Sequence, residues 1–139
     1  MIKAVAYLNG GETRQNALQL KRILIVDDEA KVAFFLREGL LGLGPEYEVQ
    51  TSDSAEQALE RIRCQPVDLA VVDYCLPGAD GLELLKQLNE ICPDTRTILI
   101  TAYGSPEVQD QAYHLRACQY LAKPFHIEDL MCTVQQVLS

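Results

Sequence analysis

A chain of 139 residues, 48% of them hydrophobic, is long enough to bury one core and short for two. Its 20 acidic residues outnumber 12 basic ones, for a net charge of −8, which disfavours nucleic acid and anionic membranes, because both reward clustered Lys and Arg. The apolar run in the opening "MIKAVAYLNGG" is too short for a signal peptide and no later run could span a bilayer, so a soluble, cytoplasmic protein is expected.

Residues 1–20 stand apart: Asn9-Gly10-Gly11 separates an apolar stretch from "ETRQNALQL", a short helical pattern. This N-terminal extension is expected to pack on the domain or on a second copy, a flexible leader being the other reading. The domain proper covers 21–139. Short runs rich in Ile, Val and Leu follow one another along it: "RILIV" (22–26), "YEVQT" (47–51), "DLAVV" (68–72), "RTILI" (96–100) and "QYLA" (119–122). Most are apolar throughout, the pattern of strands covered on both faces. Segments of helical period lie between them. Asp53 with Glu56 resembles a capping box at the second helix. The third helix carries Leu82, Leu85, Leu88 and Ile91 as its expected inner face, and Ser105-Pro106 places Pro at the first position of the fourth. The last carries Ile127, Leu130, Met131, Val134, Val137 and Leu138. About five strand–helix alternations predict one doubly wound α/β domain, a parallel sheet with helices on both faces. The cysteines at 64, 75, 92, 118 and 132 are odd in number and form no C-x-x-C pair. They are expected to be small buried hydrophobes in a reducing compartment.

Ligands of open parallel sheets bind outside the carboxyl ends of the strands. Asp27 and Asp28 follow the first predicted strand, Asp73 the third, Thr101 the fourth and Lys123 the fifth. Each alone reads as a turn former or an ordinary loop residue. Together they place three carboxylates, a hydroxyl and an ammonium along one edge. Converging carboxylates raise one another's pKa unless something neutralises them, and a hard divalent cation, most simply Mg²⁺, is the natural partner for oxygen ligands. Lys123 and Thr101 then supply charge and a donor for phosphate oxygens. Such a site suits phosphoryl transfer, with one carboxylate as nucleophile.

At this point the chain resembles a known family. "ILIVDDEA", "VVDYCLPGADGLELL", "ILITAYGS" and "YLAKPF", in that order at the strand ends, resemble the response-regulator receiver domain of two-component signalling, the CheY-like family, over roughly 22–138. The resemblance implies a flavodoxin-like (βα)5 fold with strand order 2-1-3-4-5. It implies that Asp73 accepts a phosphoryl group from a sensor histidine kinase or phosphotransfer protein. Asp28, Asp73 and the Cys75 backbone carbonyl would bind Mg²⁺ directly, with Asp27 acting largely through water. Lys123 would pair with Asp73 and then with the phosphate, whose other oxygens Thr101 and the Ala102 amide would hold. It further implies a cis bond before Pro124, which turns Lys123 inward, and a switch in which Thr101 moves toward the phosphate and the Tyr120 ring fills the space left. The face formed by the fourth helix, fifth strand and fifth helix would then meet an effector or a second copy in a homodimer. The receiver would itself be no enzyme with a separate substrate, only an assistant to its own phosphorylation and dephosphorylation.

Pro77, Gly78 and Gly81 are expected to shape the turn behind Asp73, with Gly81 allowing a close approach or a positive φ. His126 stands where the family often has Asp, a weaker start for the last helix. Cys75 has carboxylate neighbours that should raise its thiol pKa and disfavour redox sensing. Tyr103, two residues after Thr101, is expected to overhang the in-line path of water and prolong the phosphorylated state. A haloacid-dehalogenase-type phosphatase would want Asp-x-Asp after the first strand, which "VDDEA" lacks, and flavodoxin would place Ser, Thr and Gly where this chain has acids. A phosphorylation-independent pseudo-receiver that only binds proteins is the alternative, and a stand-alone regulator or the receiver of a longer chain both remain open.

Overall fold

The computed structural model describes residues 19–102 and 104–139. Strands β1 (Lys21–Val26), β2 (Tyr47–Ser52), β3 (Leu69–Asp73), β4 (Arg96–Thr101) and β5 (Gln119–Ala122) alternate with helices α1 (Ala30–Leu41), α2 (Ala55–Cys64), α3 (Gly81–Ile91), α4 (Pro106–His114) and α5 (Ile127–Leu138). Every neighbouring pair is parallel, in the order β2-β1-β3-β4-β5. The winding therefore reverses between β1 and β3, and ligands of such sheets bind beside that reversal. Strand ends fall within one residue of those predicted.

The continuous apolar runs reflect two cores, one on each side of the sheet. Ile23 and Ile25 of β1 pack with Val71, Ile98 and Ile100 beneath α1 and α5, through Leu36, Leu40, Leu130 and Val134. Leu24 and Val26 turn to the other face and join Val72 and Leu99 beneath α2, α3 and α4, through Ile62, Leu84, Leu88 and Ala112. Each such Ile, Leu or Val side chain, fully withdrawn from water, contributes about 1.5–3 kcal/mol. The sheet is consequently a stiff platform for whatever sits at its carboxyl edge.

Local details depart from expectation in three places. The α2 cap is Ser54, whose side chain accepts from the Gln57 amide, while the Gln57 carboxamide accepts from the Asp53 amide. Ser52 is still paired in β2 opposite Val26, so the capping pattern begins one residue later than Asp53 and Glu56. On α3 the buried stripe is Gly81, Leu84, Leu85 and Leu88, with Leu82 half-buried and Ile91 38% exposed. Gly81 lies hard against the end of β3, its amide donating to the Tyr74 carbonyl at 2.7 Å, on the same buried side as Leu84, Leu85 and Leu88. The cysteines are not buried: Cys64, Cys75, Cys118 and Cys132 are exposed, Cys92 is half-buried, and all five are free. Cys132 illustrates the reason, since Leu130 and Val134 take the inward positions of α5 and leave it outside.

Other local expectations hold. Ser105 caps α4 by accepting from the Val108 amide at 3.2 Å, with Pro106 as the first helical residue. The start of α5, expected to be weak at His126, is instead supported from within, Asp129 accepting from the His126 amide at 3.2 Å. The expected placement of residues 1–20 lies outside the described residues except for its last two, and so does Tyr103. No helix among the described residues is long and apolar enough to cross a membrane.

Candidate functional site

Register builds the site. Val26 lies opposite Val72, so the residues that follow, Asp27 and Asp73, leave the sheet side by side at the reversal of strand order. Asp73 is itself paired with Ile100, and Thr101 with Ala122, which puts Thr101 and Lys123 one step further along. The backbone continues this alignment beyond the strands. The Asp27 amide donates to the Ser52 carbonyl, that of Tyr74 to the Ile100 carbonyl, and that of Lys123 to the Thr101 carbonyl at 2.8 Å. The Lys123–Pro124 peptide bond is cis.

One carboxylate oxygen from each of Asp27, Asp28 and Asp73 lies within 4.8 Å of the others. Asp27 and Asp73 are buried, at 4% and 7% exposure, whereas Asp28 faces solvent. The Lys123 ammonium stands 3.3 Å from Asp73 Oδ1 and 3.9 Å from Asp27 Oδ2. Asp27 also accepts from the Glu29 amide at 2.9 Å. Thr101 is fully buried.

Both buried carboxyls titrate above the ordinary carboxylate range. Burial is the chief cause for Asp73, opposed by the charge and hydrogen bond of Lys123, with the Asp28 and Glu29 charges raising it further. Burial also leads for Asp27, opposed first by the Glu29 amide, while the Asp73 charge pushes it up. Mutual repulsion, the cause foreseen from sequence, is thus present but second to desolvation. One lysine leaves three acids under-neutralised. Three carboxylates converging on one point with a solvent-facing side form a hard-oxygen donor set, which suits Mg²⁺ or a similar cation.

The acids open into a cleft of about 610 Å³ lined by Asp28, Asp73, Cys75, Ala102 and Lys123 among others. The loop behind Asp73 clears this space. Gly78 takes φ +77°, which favours glycine, and Gly81 is required by proximity: a Cβ there would lie 2.6 Å from the Asp73 carbonyl oxygen. Partial desolvation, then the Asp73 and Asp28 charges, push the Cys75 thiol up, away from reactive thiolate. Tyr120 is half-buried on β5, with its hydroxyl enclosed.

Sequence reading missed two features near the site. Asp80 caps α3 by accepting from the Glu83 amide at 2.8 Å, and it also lines the cleft. Phe34 and Phe35 project from the first half of α1 at 63% and 58% exposure. The signal for these rings was present, since Ala33, Leu36 and Leu40 fill the inward stripe and leave two adjacent rings without a core position.

A doubly wound parallel sheet with an acidic cluster and a lysine at its switch point defines a class of α/β domain with a candidate cation site at the carboxyl edge of the sheet. The comparisons narrow the class. The family model for the response regulator receiver domain matches residues 23–135. The chain is 32% identical over 119 residues to the response regulator receiver protein CpdR of Brucella abortus, covering 86% of this chain and 98% of that one. It is 34% identical over 117 residues to the transcriptional regulatory protein ZraR of Escherichia coli, covering 84% of this chain but only 26% of that longer protein. Among solved structures, the CheY-like receiver domain protein from Methanospirillum hungatei superposes with TM-score 0.78 at 32% identity, covering 86% of this chain and 94% of the other. The chain belongs to the response regulator receiver domain family of two-component signalling.

Proposed function

We propose that this receiver, spanning 21–139 behind an extension of residues 1–20, accepts a phosphoryl group on Asp73. The observation that carries this reading is the buried Asp73 carboxylate at the end of β3, 3.3 Å from the Lys123 ammonium and clustered with Asp27 and Asp28. The donor is the phosphohistidine of a sensor kinase or phosphotransfer protein. An Asp73 oxygen attacks phosphorus as the phosphorus–nitrogen bond breaks, and the imidazole nitrogen keeps the bonding pair, leaving an acyl phosphate. Asp28, Asp73 and the Cys75 carbonyl would hold Mg²⁺, with Asp27 reaching it through water; the ion supplies charge neutralisation between carboxylate and phosphoryl oxygens. Lys123 neutralises a further oxygen, and the Thr101 hydroxyl and Ala102 amide hold the remainder. A rigid sheet fixes these groups before the phosphoryl group arrives, and such preorganisation is most of what phosphoryl transfer asks of a protein.

The domain is a phosphoacceptor, not an enzyme with a separate substrate. Its output passes through Thr101 and Tyr120 to the α4–β5–α5 face, which meets a downstream effector or a second copy. Tyr103 limits in-line attack of water on the acyl phosphate. Intact-mass analysis with a small acyl-phosphate donor tests the central claim. Wild type should gain one phosphoryl group when Mg²⁺ is present and none when it is chelated, and Asp73→Asn should gain none. Equal uptake by both proteins would overturn the assignment.

A further inference from the structure

Between α3 and α4 lies a second hollow, of about 720 Å³, that phosphate chemistry does not use. Its floor is apolar. Leu82 on α3 and Leu115 at the end of α4 both pack against the core, yet each keeps part of its surface in water. The Asn89 carboxamide donates to the Leu115 carbonyl at 2.6 Å and bridges the two helices at that end. At the other end stands Asp80, which also lines the cation cleft.

The walls above this floor are acidic. Asp80, Glu83, Glu107 and Asp110 share the hollow with one ammonium, that of Lys86, and among the described residues none of the four carboxylates forms an ion pair. Helix starts account for Asp80, Glu83 and Glu107, which suit the positive ends of α3 and α4. They account neither for Asp110, further along α4, nor for the apolar floor. These acids also do not converge. Among the described residues, the carboxylates close enough together to hold one ion are those of Asp27, Asp28 and Asp73. A single cation therefore does not answer this surface, whereas positive charge spread along an apolar stripe does.

We propose that the α3–α4 groove docks a basic, amphipathic α-helix of a partner protein, with its apolar stripe on Leu82 and Leu115 and its Lys or Arg side chains toward Glu83, Glu107 and Asp110. Both walls of the groove are helices whose backbone groups are bonded within themselves. An extended peptide would find no main-chain partners there, but a helix arrives with its own already satisfied. Covering the leucines supplies affinity, and the acids supply orientation and speed of encounter. A second copy is the poorer occupant, because two-fold pairing through this groove would set acid against acid in a chain of net charge −8. The groove lies on the α3 side of α4, apart from the α4–β5–α5 face, and its occupation does not depend on phosphoryl transfer to Asp73.

Amide NMR of the full chain, with no phosphoryl donor present, tests this against synthetic helical peptides of about 20 residues that carry Leu at i, i+4 and i+7 on one face and Lys or Arg beside it. Signals of residues 80–86 and 107–115 should move while those of α1 stay. Glu83→Gln with Asp110→Asn should weaken binding about tenfold, and raising salt from about 0.05 to about 0.5 M should weaken it at least fivefold. Peptides with Glu in place of the basic residues should not bind, and those with Ala in place of Leu should bind at least tenfold more weakly. These exchanges need no protein variant, so they decide the matter even where the double substitution fails to fold. Absence of binding by every basic peptide, equal binding of the acidic ones, or shifts confined to α1 or to the cation cleft would overturn the proposal. Self-association that the double substitution abolishes, without any peptide effect, would also overturn it and make the occupant a second copy. Failure of Asp73 to take up phosphate leaves all of these outcomes unchanged, so the two readings are tested apart.

Discussion

Replacing Gly81 by Ala tests whether the seat of α3 against the end of β3 is as tight as it looks. The added Cβ would lie 2.6 Å from the Asp73 carbonyl oxygen, 2.9 Å from Tyr74 Cα and 2.9 Å from Leu99 Cδ1. Two of these neighbours are backbone at the end of β3 and in the residue just beyond it, and the Gly81 amide is itself bound to the Tyr74 carbonyl at 2.7 Å. Relief therefore means moving α3 outward or shifting the peptide behind Asp73. Overpacking of this kind costs about 1–3 kcal/mol, with backbone contacts toward the upper end. Alanine returns up to about 1 kcal/mol through helix propensity and a less disordered unfolded chain. The expected net loss is about 2 kcal/mol, which for a domain of this size lowers the Tm by roughly 6–10 °C. Thermal unfolding followed by circular dichroism measures it. Phosphorylation by a small acyl-phosphate donor should slow at least tenfold in the same variant, since about 1.4 kcal/mol of misplacement at Asp73 is enough. A Tm within a degree of wild type, with phosphorylation unchanged, would show that the helix shifts freely and that Gly81 does not hold the acid in place.

Three further outcomes are expected. Asp27 titrates above the ordinary range, so its contribution to stability is full at acid pH and is lost as pH rises through its folded value; metal-free Asp27→Asn should accordingly resist urea better than wild type at pH 7, with the difference vanishing below roughly pH 4, and an equal or lower midpoint at pH 7 would refute the assignment. Mg²⁺ at ten times its dissociation constant should stabilise wild type by about 1.4 kcal/mol, a gain removed by chelation and absent in Asp73→Asn; equal thermal shifts in both proteins would place the ion elsewhere. Phe34→Ser with Phe35→Ser should leave the Tm within a degree and small-donor phosphorylation unaltered, because both rings are mostly in solvent; a large loss of stability would mean that they belong to the core.

The fold was legible because it rests on backbone arithmetic. Strands buried on both faces must be apolar throughout, and β1, β3 and β4 are so because alternate residues feed different cores: Ile23 and Ile25 one, Leu24 and Val26 the other. Side-chain choices within elements were less legible. Leu82 and Leu84 fit a helical stripe equally well on paper, and the structure buries Leu84 on the same side as Gly81, which lies too close to the end of β3 to carry a Cβ. The α2 cap moved from Asp53 to Ser54 because β2 runs one residue longer than its apolar pattern, a boundary fixed by pairing with β1. Cysteine composition carries no phase, so the outward positions of Cys64, Cys118 and Cys132 could not be read from it.

The site was legible for a related reason: Asp27, Asp73, Thr101 and Lys123 are defined by where strands stop, and strand ends in a parallel sheet converge whatever the side chains do. Electrostatics at that edge needed the structure. From sequence, repulsion among carboxylates was the natural reason for a raised pKa, yet the larger cause is their withdrawal from water at the top of the sheet. The distinction has a chemical consequence. Repulsion alone would be relieved by Lys123, which already stands 3.3 Å from Asp73, whereas desolvation persists until several ligands replace the lost water on both acids. A cation that brings its own water shell supplies those ligands and a lysine cannot, so the same burial that opposes ionisation of Asp27 and Asp73 favours a hydrated Mg²⁺ over a second protein cation at this edge.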